Sequence, residues 1–136
     1  MSHPDFRFKL ILEAAVSPSE DPAKVAGAVG KVIRLGPDAV ALGGRRARIA
    51  VADRKSLERI RDQLRDRHVR TAARRQLLLN KSGASSSLML NRQAAAVGVL
   101  AVCSVPEESA LGPIRLTLTS DRLDEAIDWL TAYPGG

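Results

Sequence analysis

Phe6, Phe8, Leu10 and Leu12 alternate with Arg7, Lys9, Ile11 and Glu13, a period of two that predicts a half-buried strand. The period then lengthens. After Ser17-Pro18-Ser19-Glu20, Asp21 stands in N-cap position before Pro22, and Val25, Ala28, Val29, Val32 and Ile33 follow at helical spacing, predicting a helix over 22–33. Gly27 and Gly30 weaken that helix by about 1 kcal/mol each relative to Ala. Packing must therefore hold it, and their small size suits close approach to the sheet. Residues 39–42 and 45–52 read as a hairpin around Gly43-Gly44, because such a pair supplies the positive φ angles of tight turns. On the second arm Ala47, Ile49 and Val51 face one way, and Arg46 and Arg48 the other.

From Ser56 the pattern is helical again, with Leu57, Ile60 and Leu64 on one face. Val69, Ala72, Ala73 and Leu77 fall out of phase with that stripe, which predicts a break near Arg67-His68 and a second helix to about Leu79. Residues 80–87 are polar and Ser-rich, and are expected to form a flexible loop. Beyond it the sequence predicts a strand at Leu88-Met89-Leu90, a short helix capped by Asn91, a strand over 99–103, and a loop over 104–113. A strand carrying Ile114, Leu116 and Leu118 and a helix opened by Asp121 close the chain. Strands and helices mixed over 136 residues, without an internal repeat, describe one α+β domain spanning 1–136.

Composition narrows the function classes. The only cysteine, Cys103, sits in the apolar run 99–103 and reads as a buried thiol. The first residues lack the basic and apolar segments of a signal peptide, and no apolar run reaches transmembrane length, so a cytoplasmic, membrane-free setting is expected. Neither His3 nor His68 has the partners of a catalytic or metal site, and Gly43-Gly44-Arg45-Arg46 lacks the spacing and lysine of a phosphate loop. Glu107-Glu108 has no acid/base companion. The expectation is a non-enzymatic protein without a cofactor.

Charge points to an anionic partner. The net charge is +6, and it is unevenly spread: residues 34–75 hold thirteen Lys and Arg against five acids, whereas 104–136 hold two against six. Sixteen of the twenty-one cations are arginine, the side chain better suited to bidentate phosphate contact. At helical spacing Glu58 can pair with Arg61, Asp62 with Arg65 and Asp66 with Arg70. Arg67, Arg74 and Arg75 lack such an acid, and with Arg70 they form a stripe that is a candidate phosphate-contact surface, a solvated helix face being the plain alternative. Strand parity supplies a second candidate, a sheet face bearing Arg7, Lys9, Arg46, Arg48 and Arg115 with one acid, Glu13. Aromatic residues are scarce, which favours folded or double-stranded RNA read by shape and backbone charge over stacked single strands. The opposed charges of centre and tail suit a second reading, self-association as a homodimer or assembly in a larger complex.

The segments 13–22, 56–61, 71–74, 90–98 and 109–114 occur in an order and spacing that resembles an archaeal family of predicted RNA-binding proteins of unknown function, some relatives being proposed as exosome-associated. That resemblance implies a fold similar to a ribosomal protein that grips RNA, with helices packed on one face of a largely antiparallel sheet, and a partner in structured RNA or an RNA-processing complex. Its most specific segment is Asn91-Arg92-Gln93. Asn91 is expected to cap a helix, and Arg92 and Gln93 either support that turn or touch RNA sugar and phosphate.

Overall fold

The structure, a computed structural model, describes residues 6–132 and, within them, every side chain except that of Arg67. His3 and Tyr133 lie outside the described residues. The strands are β1 (Phe8–Ala15), β2 (Ala41–Gly43), β3 (Arg46–Val51), β4 (Ser85–Leu90), β5 (Val102–Cys103) and β6 (Ile114–Ser120). They form one sheet in the order β2-β3-β1-β6-β4-β5, with every neighbouring pair antiparallel. The helices are α1 (Pro22–Val32), α2 (Arg54–Gln63), α3 (Arg67–Leu79), α4 (Arg92–Ala96) and α5 (Leu123–Leu130). The α+β class with an antiparallel sheet is as the sequence predicts.

One face of the sheet makes the core. Leu10 and Leu12 of β1, Leu116 and Leu118 of β6 and Leu88 and Leu90 of β4 are buried together against Val29 of α1, Leu57 of α2, Leu77 of α3 and Ile127 of α5. Each such side chain contributes about 1.5–3 kcal/mol relative to exposure, and the period of two then leaves the opposite sheet face to solvent.

Local chemistry sets the boundaries. Asp21 accepts the Ala23 N–H at 3.0 Å and opens α1 at Pro22. Gly30 lets α1 end in a close reversal: a Cβ there would stand 2.6 Å from the Leu35 carbonyl oxygen, whereas one at Gly27 would meet nothing within 4 Å. Thus Gly30 serves a turn rather than approach to the sheet. The break between α2 and α3 falls at Leu64–Asp66, where Asp66 accepts from the His68 and Val69 N–H groups and caps α3.

Four local expectations are corrected. The hairpin turn is Gly44-Arg45, both at φ 58°, with Gly43 paired to Arg46. The Ser-rich segment is not all loop, because Ser85–Ser87 begin β4; Ser86 Oγ donates to the Leu77 carbonyl and Ser85 bonds Thr119 at 2.7 Å. Asp121 does not cap α5; its carboxylate accepts the Arg7 N–H at 3.1 Å, and Ser120 Oγ accepts the Arg122 N–H. The strand expected over 99–103 shortens to β5. There the Gln76 side chain bridges the edge, accepting from Met89 N–H and donating to the Cys103 carbonyl, both at 2.6 Å.

Candidate functional site

The arginine stripe of α3 is not a free surface. The buried side of α3 runs through Arg70, Ala73 and Leu77, so Arg70 is only 5% exposed, and its guanidinium donates to the Arg65 carbonyl. Arg74 faces α5, where it bonds Asp128 at 2.7 Å and Thr131 Oγ1 at 3.1 Å. Arg75 stays exposed. The stripe expected to hold phosphate thus divides into a buried, a paired and a displayed arginine, with the Arg67 side chain outside the described residues. The acidic tail supplies the neutralisation: Lys81 also meets Asp124, at 2.6 Å. Part of the opposition between basic centre and acidic tail is therefore met within one chain.

The Asn91-Arg92-Gln93 segment makes contacts within the fold. Asn91 accepts the Ala94 N–H at 2.9 Å and caps α4. Arg92 is buried, against the expectation of RNA contact, because its Nη1 donates to both Glu20 oxygens at 2.8 Å. Its Nε and Nη2 find no acceptor among the described residues. Gln93 donates to the Ala110 carbonyl at 3.1 Å and accepts from Ser109 Oγ at 3.3 Å, tying down the loop before β6. Glu20 in turn accepts the Ser17 N–H at 2.9 Å. Burial alone would push the Glu20 carboxyl up, but Ser17 and the Arg92 guanidinium outweigh it and hold it below its ordinary value. This pair fastens the loop over 16–22 to α4.

The open sheet face carries a second group of cations. In register, Glu13 lies opposite Arg48 on one side and Arg115 on the other, so the row across β3, β1 and β6 reads Arg-Glu-Arg. Strands about 4.8 Å apart put those two arginines roughly 10 Å from each other. Arg46 flanks the row and reaches Glu13 at 3.5 Å while remaining 62% exposed. Lys9 lies two rows away on the same face, past Ile11, and opposite Thr119. Lys9, Arg48 and Arg115 are exposed, and among the described residues their side chains make no hydrogen bond or ion pair. Beyond them Thr117, Thr119, Ser85 and Ser87 line the same face toward β4. Phe6 and Phe8 pack against the core instead, with Phe6 edge-on to Trp129 at 6.5 Å, so no aromatic ring among the described residues stands on the open face.

The hairpin turn adds a cation that strand parity does not reveal. Arg45 is exposed at the turn's second position, and its carbonyl accepts the Val16 N–H at 2.8 Å. A positive φ at a non-Gly residue costs about 1–2 kcal/mol. The signal was present in the alternation of β3, which points Arg46 outward and leaves Gly44-Arg45 as the turn pair once Gly43 pairs with Arg46. Elsewhere, no cluster of three His, Cys, Asp or Glu able to hold a metal ion is found among the described residues. No helix among them is long and apolar enough to cross a membrane.

No family model matches the chain. Relatives do. A UPF0201 protein of Sulfurisphaera tokodaii is 36% identical over 126 residues, covering 90% of this chain and 86% of the relative. That of Sulfolobus acidocaldarius is 32% identical over 126 residues, with the same coverage. Among solved structures, the UPF0201 protein of Methanococcus jannaschii superposes with a TM-score of 0.69 at 21% identity, over 90% of this chain and 98% of that one. A DUF54 protein of Methanothermobacter thermautotrophicus gives 0.64 at 18% identity, over 91% and 95%. The structures show the same fold, the sequence relatives carry the assignment, and the chain belongs to the archaeal UPF0201 family.

Proposed function

We propose that this protein is a non-enzymatic binding module for structured RNA, which lies against the open face of the sheet. The observation that carries the reading is the Arg48-Glu13-Arg115 row with Arg46 beside it and Lys9 two rows along β1, four cations to one acid on the face turned away from the core. Phosphate contacts supply most non-specific nucleic-acid affinity, and unpaired arginines cost little desolvation to redirect. The absence of a ring on this face among the described residues argues against stacking of single-stranded bases and for recognition by backbone and shape. Hydroxyls of Thr117, Thr119, Ser85 and Ser87 add neutral donors and acceptors suited to ribose 2′-OH groups.

Titration of a double-stranded RNA over a salt series tests this. With three or four phosphates engaged, log K should fall with log salt at a slope of about −3. Replacing Arg48 and Arg115 together with Ala should flatten that slope by about 2 and leave thermal unfolding unchanged, since both side chains are exposed. Glu13→Gln should tighten binding, because it removes the one carboxylate in the row. Equal affinity in the arginine double variant and the parent would remove the sheet face from the proposal.

A further inference from the structure

We propose that the cleft between the loop over 16–22 and the β2–β3 turn is a separate site for a phosphate carried on an apolar or planar body, as at the terminal nucleotide of an RNA strand. This rests on the RNA reading for the source of its ligand, though not for the chemistry of the cleft. The cavity measures about 490 Å³, in the usual range for small-ligand sites. Its apolar part is Val16, Pro18, Pro22 and Leu42, and Leu42 is 49% exposed there, without a covering group. Arg45 and Arg46 supply the charge. That mixture of apolar wall and guanidinium charge, with Arg46 reaching Glu13 at 3.5 Å and Arg45 left to meet a ligand, fits a body to cover and an anion to hold.

Three observations separate this cleft from an ordinary surface dimple. First, its one lining carboxylate, Glu20, is already engaged by Arg92 and the Ser17 N–H, so it neither neutralises Arg45 nor invites a cation. Second, Arg45 occupies a positive-φ turn position where glycine is the unstrained choice, and the guanidinium it carries makes no bond or ion pair among the described residues. Third, the walls are joined before any ligand arrives: Val16 N–H donates to the Arg45 carbonyl at 2.8 Å, and the Glu20–Arg92 pair anchors the loop behind. Such a site needs little ordering on binding. Arg46 belongs to the cleft and to the open sheet face alike, so a strand lying along that face would end at this cavity, whose volume suits one nucleotide.

The test compares a 5′-phosphorylated oligoribonucleotide with its 5′-hydroxyl form, and AMP with adenosine, on the full chain. The phosphorylated member of each pair should bind about tenfold more tightly, the increment of one charge-assisted contact. Arg45→Gly should abolish that preference without lowering the melting temperature, because glycine adopts the turn freely. Equal binding within both pairs in the parent protein, or a preference that survives in R45G, overturns the proposal. A circular RNA, having no ends, reports on the sheet face alone. Retention of circular RNA without any terminal-phosphate preference sinks the cleft and leaves the sheet face standing. AMP binding that R45G abolishes, with no RNA retained, upholds the cleft and sinks the RNA reading.

Discussion

Replacing Glu20 with Ala should be the most damaging single change to the architecture around the cleft. The substitution strips Arg92 Nη1 of both its acceptors, each at 2.8 Å, and leaves a guanidinium only 6% exposed whose Nε and Nη2 already lack partners among the described residues. Breaking a buried ion pair from one side costs about 3–5 kcal/mol, because the remaining charge stays desolvated. For a chain of 136 residues, with an unfolding entropy of about 2 cal/mol/K per residue, that lowers the melting temperature by roughly 10–17 °C. Thermal and urea unfolding at pH 7 measure it. The same argument requires that Glu20→Leu combined with Arg92→Met be less harmful than E20A alone, since the double replacement removes the charge together with its counterion. A loss under about 1 kcal/mol in E20A, or a double variant worse than the single, would refute the view that this pair is desolvated and structural.

Three further outcomes follow from the same geometry. Glu20 and Asp53, the latter capping α2 where its burial is outweighed by hydrogen bonds from Ser56, both have carboxyls held low, so their contribution is complete above their ordinary values of 4.5 and 3.8 and is lost as pH falls through the lower folded values; Glu20→Gln should flatten the acid limb of a melting-temperature profile. Gly30→Ala should destabilise by about 1–3 kcal/mol, because its Cβ meets backbone carbonyls that cannot give way, whereas Gly27→Ala should gain up to about 1 kcal/mol in the same calorimetric scan. Cys103 is buried, and burial together with the nearby Glu108 pushes its thiol up; a thiol reagent at pH 8 should react only as fast as the chain opens.

The strands and helices were legible in the chain because their signals are local. The alternation from Phe6 to Glu13, the Asp21-Pro22 start and the phase change after Leu64 depend on neighbours within a few residues; the structure places β1 and α1 accordingly, and sets the α2–α3 break at 64–66, just ahead of the expected Arg67-His68. The outward parity of Arg46 and Arg48 was equally readable, since a strand has only two faces. Turn and cap details were less so. The sequence placed the turn at Gly43-Gly44, and the pairing of Gly43 with Arg46 moves it to Gly44-Arg45.

Helical spacing could show only that Arg74 lacked an acid on its own helix. Its counterion, Asp128, is 54 residues away, and Arg92 finds Glu20 at a separation of 72. Likewise Arg70 is hidden because the stripe that looked like a charged face coincides with the side of α3 turned to the core. A residue's chemical type and its nearest neighbours in sequence determine the local conformation it favours. Its solvation and its partners across the fold depend on which distant surfaces come to rest against it, and those, here, hid Arg70 and paired Arg74 while leaving Arg48 and Arg115 exposed on the sheet.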